Sequence, residues 1–95
     1  MLLLLLVATG AAGEGLDDPA PAAERAAAEE RYQRLIAEGR DAEAAAAGLE
    51  VVTLTAQLHG ADSLELAGPL TNLAMAQLRN GDLGAAEANY QAAIA

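Results

Sequence analysis

The sequence predicts an all-α fold of antiparallel helical hairpins, and three observations support that prediction. Hydrophobic residues make up 54% of the chain and aromatic residues only 2%. Most of the apolar residues are alanine and leucine, which favour helices, and the β-branched residues that favour strands are few. Glycines at Gly39, Gly60 and Gly81 divide the helix-compatible segments, and links this short force consecutive helices to lie antiparallel.

Residues 1–12 are predicted to be a signal peptide. The stretch from Leu2 to Ala12 is uncharged, and its 11 residues (12 − 2 + 1) are too few for a membrane span of about 20 but suit the roughly 7–15 of a signal-peptide core. Gly10 and Ala12 are small enough to precede a cleavage site, and Ala8 with Gly10 is a second option. We expect an exported protein, periplasmic or secreted, with no membrane attachment after cleavage.

Two alternatives to cleavage stay open, because no basic residue precedes the leucine run. The run can begin a buried apolar helix, or it can stay attached as a membrane tether. The preference for Ala, Gly, Arg and Pro over Lys and Phe is typical of a GC-rich genome and indicates a bacterial source.

Residues 13–21 are predicted to be a linker that leads into the first helix. Pro19 and Pro21 prevent a helix from running back through them but can open one. Asp18 is then expected to be the N-cap, with Pro19 at the first helical position.

The first hairpin is predicted over residues 22–60, with helices over 22–38 and about 41–58 and Asp41 as a candidate N-cap. At spacings of three and four, the apolar face of the second helix is expected to carry Ala45, Leu49, Val52 and Ala56. Gly48 lies inside this helix, where glycine costs about 1 kcal/mol relative to alanine. We therefore expect Gly48 to permit close backbone contact with a neighbouring helix.

The second hairpin is predicted over residues 61–95. Asp62 and Glu65 have capping-box spacing, with Asp62 or Ser63 as the start, and Pro69 predicts an irregular first turn. Regular helix is expected from about residue 66 to 79, with an apolar face of Leu66, Ala67, Leu70, Leu73, Ala74, Ala76 and Leu78. After the turn at residues 80–82, the last helix is expected to present Leu83, Ala86, Tyr90, Ala93 and Ile94 on one side.

The two hairpin turns, at Gly39 and Gly81, lie 42 residues apart (81 − 39), and such a period is typical of α-solenoids. The second hairpin resembles a tetratricopeptide repeat, because the template positions read Leu70, Leu73, Ala74, Gln77, Ala86 and Tyr90, and only Gln77 departs in kind. The period resembles the 42-residue variant of kinesin light chains and bacterial repeat proteins. The resemblance covers about residues 41–95 and implies a short α-solenoid, either complete or incomplete, whose repeats pack through Leu70, Leu73, Ala74, Gly81, Ala86, Tyr90 and Ala93.

The first hairpin matches the same register poorly. Arg31 and Tyr32 stand where leucine and a small residue belong, and Gly48 stands where the aromatic belongs, whereas Gly39 and Ala44 agree. We interpret it as a degenerate capping repeat, with an unrelated hairpin or an alanine-rich bundle as alternatives.

The resemblance implies a concave groove lined by the first helix of each hairpin. Its positions fall on Thr71, Asn72, Met75 and Arg79, and in the first hairpin on Glu29, Glu30 and Gln33. The resemblance gives the Asn72 amide a hydrogen bond to the backbone of a bound peptide or protein segment. Arg79 would take a carboxylate and Met75 an apolar contact. The alternatives are that Asn72 links helices, Arg79 is a solvated helix end and Met75 belongs to the core.

Charge and residue content exclude several function classes. With 14 Asp and Glu against 5 Arg, the chain carries a net charge of −9, which disfavours nucleic-acid binding. If the first hairpin keeps the register of the second, Glu29, Glu30 and Gln33 make the groove acidic there, which favours a basic or apolar segment as the partner. The absence of cysteine excludes disulfides and thiolate chemistry. His59 with Asp62 and Ser63 occupies a single turn, which does not supply triad geometry, and one histidine among scattered carboxylates is not a metal site. We expect no enzymatic activity, no cofactor and no metal.

Two repeats are fewer than the three or so that solenoids usually need. We therefore expect an incomplete chain, a marginal monomer, or self-association through the last helix. The alternative function is that of an N-terminal fragment of a larger exported protein or enzyme, or of a membrane-tethered adaptor.

Overall fold

A computed structural model describes residues 19–95, which contain four helices and no strand. Helix α1 spans Ala20–Ala37, α2 Asp41–His59, α3 Ala67–Arg79 and α4 Leu83–Ile94, and a 3₁₀ turn, Leu64–Leu66, precedes α3. α1 packs on α2, α2 on α3 and α3 on α4. The all-α prediction of stacked helical hairpins is confirmed. The predicted signal peptide and most of the predicted linker lie outside the described residues.

Gly39 and Gly81 end the first helix of the first and second hairpin, and Gly60 separates the two hairpins, as predicted. Gly39, Gly60 and Gly81 have φ values of +74°, +98° and +86°. An L-residue with a side chain rarely adopts this left-handed region, so glycine is the residue that lets the chain turn back here.

Helix α1 begins two residues earlier than the sequence predicts. Pro19 occupies the N-cap position instead of the first helical position, and Pro21 is the second helical residue. A proline in the first helical turn removes no intrahelical hydrogen bond, because the first N–H groups of a helix have no partner within it. The predicted N-cap Asp18 lies outside the described residues.

The start of the second hairpin resolves the choice between two candidate caps. The Ser63 Oγ accepts a hydrogen bond from the Glu65 backbone N–H at 3.0 Å, so Ser63 and not Asp62 is the N-cap. The irregular first turn is the 3₁₀ turn, and Pro69 follows as the third residue of α3.

The buried face of α2 differs from the predicted one. Leu49 is 55% exposed, whereas the buried residues of this helix are Ala44, Ala47, Gly48, Val51, Leu54 and Thr55. Because alanines occur on every side of α2, the position of Leu49 alone did not show which face of the helix is buried. Leu78, on the predicted apolar face of α3, is also exposed, and so are Leu83 and Ile94 of α4. The core instead centres on Tyr32, Leu35, Ala44, Ala47 and Ala76.

Candidate functional site

A small crevice lies between α1 and α3, with α2 behind it. Its volume is about 10 Å³, near the minimum for one water molecule. Its walls are Glu29, Tyr32 and Gln33 of α1, Gly48 and Val51 of α2, and Pro69 and Asn72 of α3. The first helices of the two hairpins therefore meet at a shared crevice.

Tyr32 closes the floor of this crevice and joins the two hairpins. Its side chain is buried, and its hydroxyl donates to the backbone carbonyl of Asn72 at 2.7 Å. Burial raises the pKa of Tyr32, while the charge of Arg79 lowers it and Tyr90 adds a smaller upward contribution. The neutral, donating phenol is thus the form that suits this position.

Because Gly48 has no side chain, Tyr32 and α3 can pack directly against the backbone of α2. This is the close helix contact that the sequence predicts at Gly48. A Cβ at this position would lie 3.3 Å from the Leu73 Cα and 3.5 Å from the Tyr32 Cδ1. The first distance is to backbone, which moves only if the whole of α3 moves. The predicted close helix contact is confirmed, and it is the contact between the hairpins.

Asn72 borders the crevice, and its side-chain amide makes no hydrogen bond to residues 19–95, since only its backbone carbonyl is engaged. Glu29 and Gln33, on the opposite wall, are exposed and likewise form no side-chain hydrogen bond within the described range. An amide offers both a donor and an acceptor. The crevice is therefore lined with polar groups whose hydrogen bonds are available to another molecule.

The other three residues predicted to line the groove lie elsewhere. The exposed Thr71 donates its hydroxyl to the Ala67 carbonyl at 2.8 Å, and Met75 is half-buried against the core. The Arg79 Nε donates to the Asp41 carboxylate at 3.1 Å, which ties the end of α3 to the start of α2. Only Asn72 of the four borders the crevice.

The residues assigned to repeat packing differ in burial. Leu73, Ala74 and Ala86 are buried, Leu70, Tyr90 and Ala93 are half-buried, and Gly81 forms the turn. Gln77, the one departure from the family template, accepts a hydrogen bond from the Asn89 amide at 2.8 Å. An amide pair therefore links α3 and α4 where the template has an aromatic residue.

An exchange of residue sizes accounts for the poor match of the first hairpin. Tyr32 of the first hairpin corresponds to Ala74 of the second, 42 residues later, and Gly48 corresponds to Tyr90. Each hairpin thus has one aromatic and one small residue at these two positions. The large residue lies on the first helix in one hairpin and on the second helix in the other. The shared separation of 16 residues is the sequence signal that sequence reasoning missed.

Glu29 is the charged residue in the wall of the crevice. Arg31 pairs with Glu50, Arg40 with Glu38 and Glu43, and Arg79 with Asp41. Neither Glu29 nor Glu30 forms an ion pair among residues 19–95, although Arg25 and Arg34 lie four residues from them on α1. The wall itself therefore carries one negative charge.

No group of three or more metal-ligating side chains occurs among residues 19–95. His59 is the exposed last residue of α2, and the Ser63 Oγ is engaged in capping rather than in a contact with it. No helix between residues 19 and 95 is long and apolar enough to cross a membrane.

A larger open depression of about 410 Å³ lies at the end of the second hairpin. Its lining is mostly aliphatic and includes Leu64, Leu66, Leu70 and Ala93.

Comparison with protein-family models, with curated proteins and with solved structures finds no match to this chain.

Proposed function

We propose that this chain is a non-catalytic protein–protein interaction module of the tetratricopeptide-repeat type that holds a peptide or protein segment on the surfaces of α1 and α3 that flank the crevice. The observation that carries the proposal is the side-chain amide of Asn72, which borders the crevice without an intramolecular partner among the described residues. The backbone of an extended peptide supplies both of the groups that this amide needs.

The chemistry of the opposite wall selects the partner. Glu29 lines the crevice and Glu30 follows it, and neither forms an ion pair with an arginine in the part of the chain that the structure describes. A segment that carries a lysine or arginine therefore gains a favourable charge interaction, which depends on salt because these carboxylates are exposed. We place the module in an exported protein on the strength of the uncharged N-terminal stretch, and in a bacterial one on the preference for Ala, Gly, Arg and Pro over Lys and Phe.

A displayed library of random 12-residue peptides tests the proposal. We expect the full chain to enrich peptides with a basic residue, and Asn72→Ala to weaken their binding by about two- to tenfold, the equivalent of one lost neutral hydrogen bond. Gln57→Ala, which removes an exposed amide from α2, is the matched control and should bind as the unchanged chain does. Failure to enrich any peptide, or equal binding by both variants, contradicts the proposal.

A further inference from the structure

Helix α4 carries an exposed stripe of four residues that the proposed peptide crevice does not use. Leu83, Glu87, Tyr90 and Ile94 follow one another at spacings of four, three and four, so they share one helix face. Leu83 is 62% and Ile94 84% exposed, Glu87 is exposed and Tyr90 is half-buried. Two large aliphatic side chains thus stand at the two ends of the stripe, in water.

The equivalent stripe of the first hairpin is covered by a helix. Forty-two residues earlier stand Asp41, Ala45, Gly48 and Val52, all buried or half-buried. Gly48 packs against Leu73 and Asp41 is bonded to Arg79, so α3 covers this face and runs antiparallel to α2. Since the stacked hairpins repeat the arrangement, the stripe on α4 is the face on which an antiparallel helix fits, and its two aliphatic ends, Leu83 and Ile94, are left uncovered by residues 19–95.

We infer that the helix which covers this stripe is α4 of a second copy of the chain. In an antiparallel pair of α4 helices, one two-fold axis between Ala88 and Asn89 places Leu83 against the second copy's Ile94. The same axis places Tyr90 against the second copy's Glu87, which sets a hydroxyl donor beside a carboxylate acceptor. A two-fold contact requires a patch that complements itself, and this stripe satisfies that requirement at all four positions.

Charge also favours this face over that of α2. The chain carries a net charge of −9, so two copies repel each other. α4 contains one charged residue, Glu87, in its 12 positions. Two copies that meet through α4 therefore approach with less repulsion than through α2, which carries Asp41, Glu43 and Glu50 and no arginine.

Sedimentation equilibrium on the full chain tests the inference. We expect a monomer–dimer equilibrium, and Ile94→Glu should raise the dimer dissociation constant by at least about tenfold, because the symmetry introduces the change twice. Leu49→Glu adds the same charge to an exposed leucine of α2 and should leave the dimer intact. Helical circular dichroism should be unchanged in both variants, and neither should lose peptide binding at the crevice. A monomer at all concentrations, or a dimer insensitive to Ile94→Glu but abolished by Leu4→Glu, overturns the inference.

Thiol cross-linking tests the orientation, since the chain has no native cysteine. A short bismaleimide suits helices that pack about 8–10 Å apart, which is too far for a direct disulfide. A mixture of the Leu83→Cys and Ile94→Cys chains should cross-link at least about tenfold faster than either chain alone, because like positions lie about 16 Å apart along the helices. Faster cross-linking of either variant with itself indicates parallel helices and overturns the inference.

Discussion

At the scale of single residues, Gly48 is the position where the stacking of the hairpins is most sensitive to volume. An added methyl would meet the Leu73 backbone at 3.3 Å, and α3 has to shift to accept it. In contrast, Gly68 in α3 has nothing within 4 Å of an added Cβ. Substitution by alanine is therefore expected to have opposite effects on stability at Gly48 and at Gly68.

We predict that Gly48→Ala destabilises the protein by about 1 kcal/mol, since the cost of overpacking, about 1–3 kcal/mol, exceeds the gain in helix propensity of about 1 kcal/mol. Gly68→Ala should stabilise it by about 0.4–1 kcal/mol because the unfolded chain loses freedom while the folded chain meets no clash. Urea unfolding of both variants measures the difference. A more stable Gly48→Ala variant would show that the helices are not in close contact there.

Tyr32 makes stability depend on pH through a buried phenol. Its raised pKa means that the folded state holds the proton more tightly than the unfolded state. This contribution is fully present below pH about 10, the ordinary tyrosine value, and is lost as the pH rises through the folded-state pKa.

We predict that Tyr32→Phe costs about 0.5–1.5 kcal/mol at pH 7, because it removes the hydrogen bond to the Asn72 carbonyl. Above pH 10 the stability of the unchanged chain falls as Tyr32 ionises, and the Phe variant should not show this part of the fall. Urea unfolding between pH 7 and 11 measures both effects, with Tyr90→Phe as the control that retains the loss. An identical pH dependence in Tyr32→Phe and the unchanged chain would contradict the buried position of this hydroxyl.

At the scale of the helices, the first residues of the second hairpin depend on one cap. The Ser63 side chain satisfies the Glu65 N–H that no carbonyl of the 3₁₀ turn reaches. We predict that Ser63→Ala lowers stability by about 0.5–2 kcal/mol, whereas Asp62→Ala, one residue earlier, has little effect. Thermal unfolding compares the two variants. A larger loss of stability in Asp62→Ala than in Ser63→Ala would show that Asp62 is the N-cap.

The helix ends and the fold class were predictable from the sequence, whereas the direction of the helix faces was not. Positive-φ glycines end helices for a local reason that one residue expresses. The inward face of α2 depends on which alanines meet Tyr32 and Leu73, and alanine gives little directional signal. The exchange of sizes between Tyr32 and Gly48 is a property of a pair of residues in two helices, so position-by-position matching did not detect it.

The candidate site was predicted in part, for a related reason. Asn72 borders the crevice, and so do Glu29 and Gln33, because helix spacing alone places them on facing surfaces. Arg79 does not, because Asp41 at the start of α2 is close enough to bond it. That partner lies 38 residues away in the sequence, a distance over which spacing rules carry no information.

At the scale of the whole molecule, one ion pair joins the two hairpins at the edge of their interface. Asp41 is 23% exposed and Arg79 44%, so solvent screens much of the attraction. A double-mutant cycle with Asp41→Ala and Arg79→Ala should give a coupling energy of about 0.2–1 kcal/mol that shrinks in 1 M salt. A coupling indistinguishable from zero at low salt would remove this pair from the forces that hold the stack together.

The account depends on the second hairpin lying against the first through Tyr32, Gly48 and Leu73. Proton–proton nuclear Overhauser effects measured on the full chain report this contact, and with two tyrosines in the sequence the ring signals are readily assigned. We predict cross-peaks from a Gly48 Hα to the Leu73 Hα and from the Tyr32 ring to Gly48. Tyr32 ring cross-peaks confined to its own helix, with none between Gly48 and Leu73, would show that the hairpins do not stack.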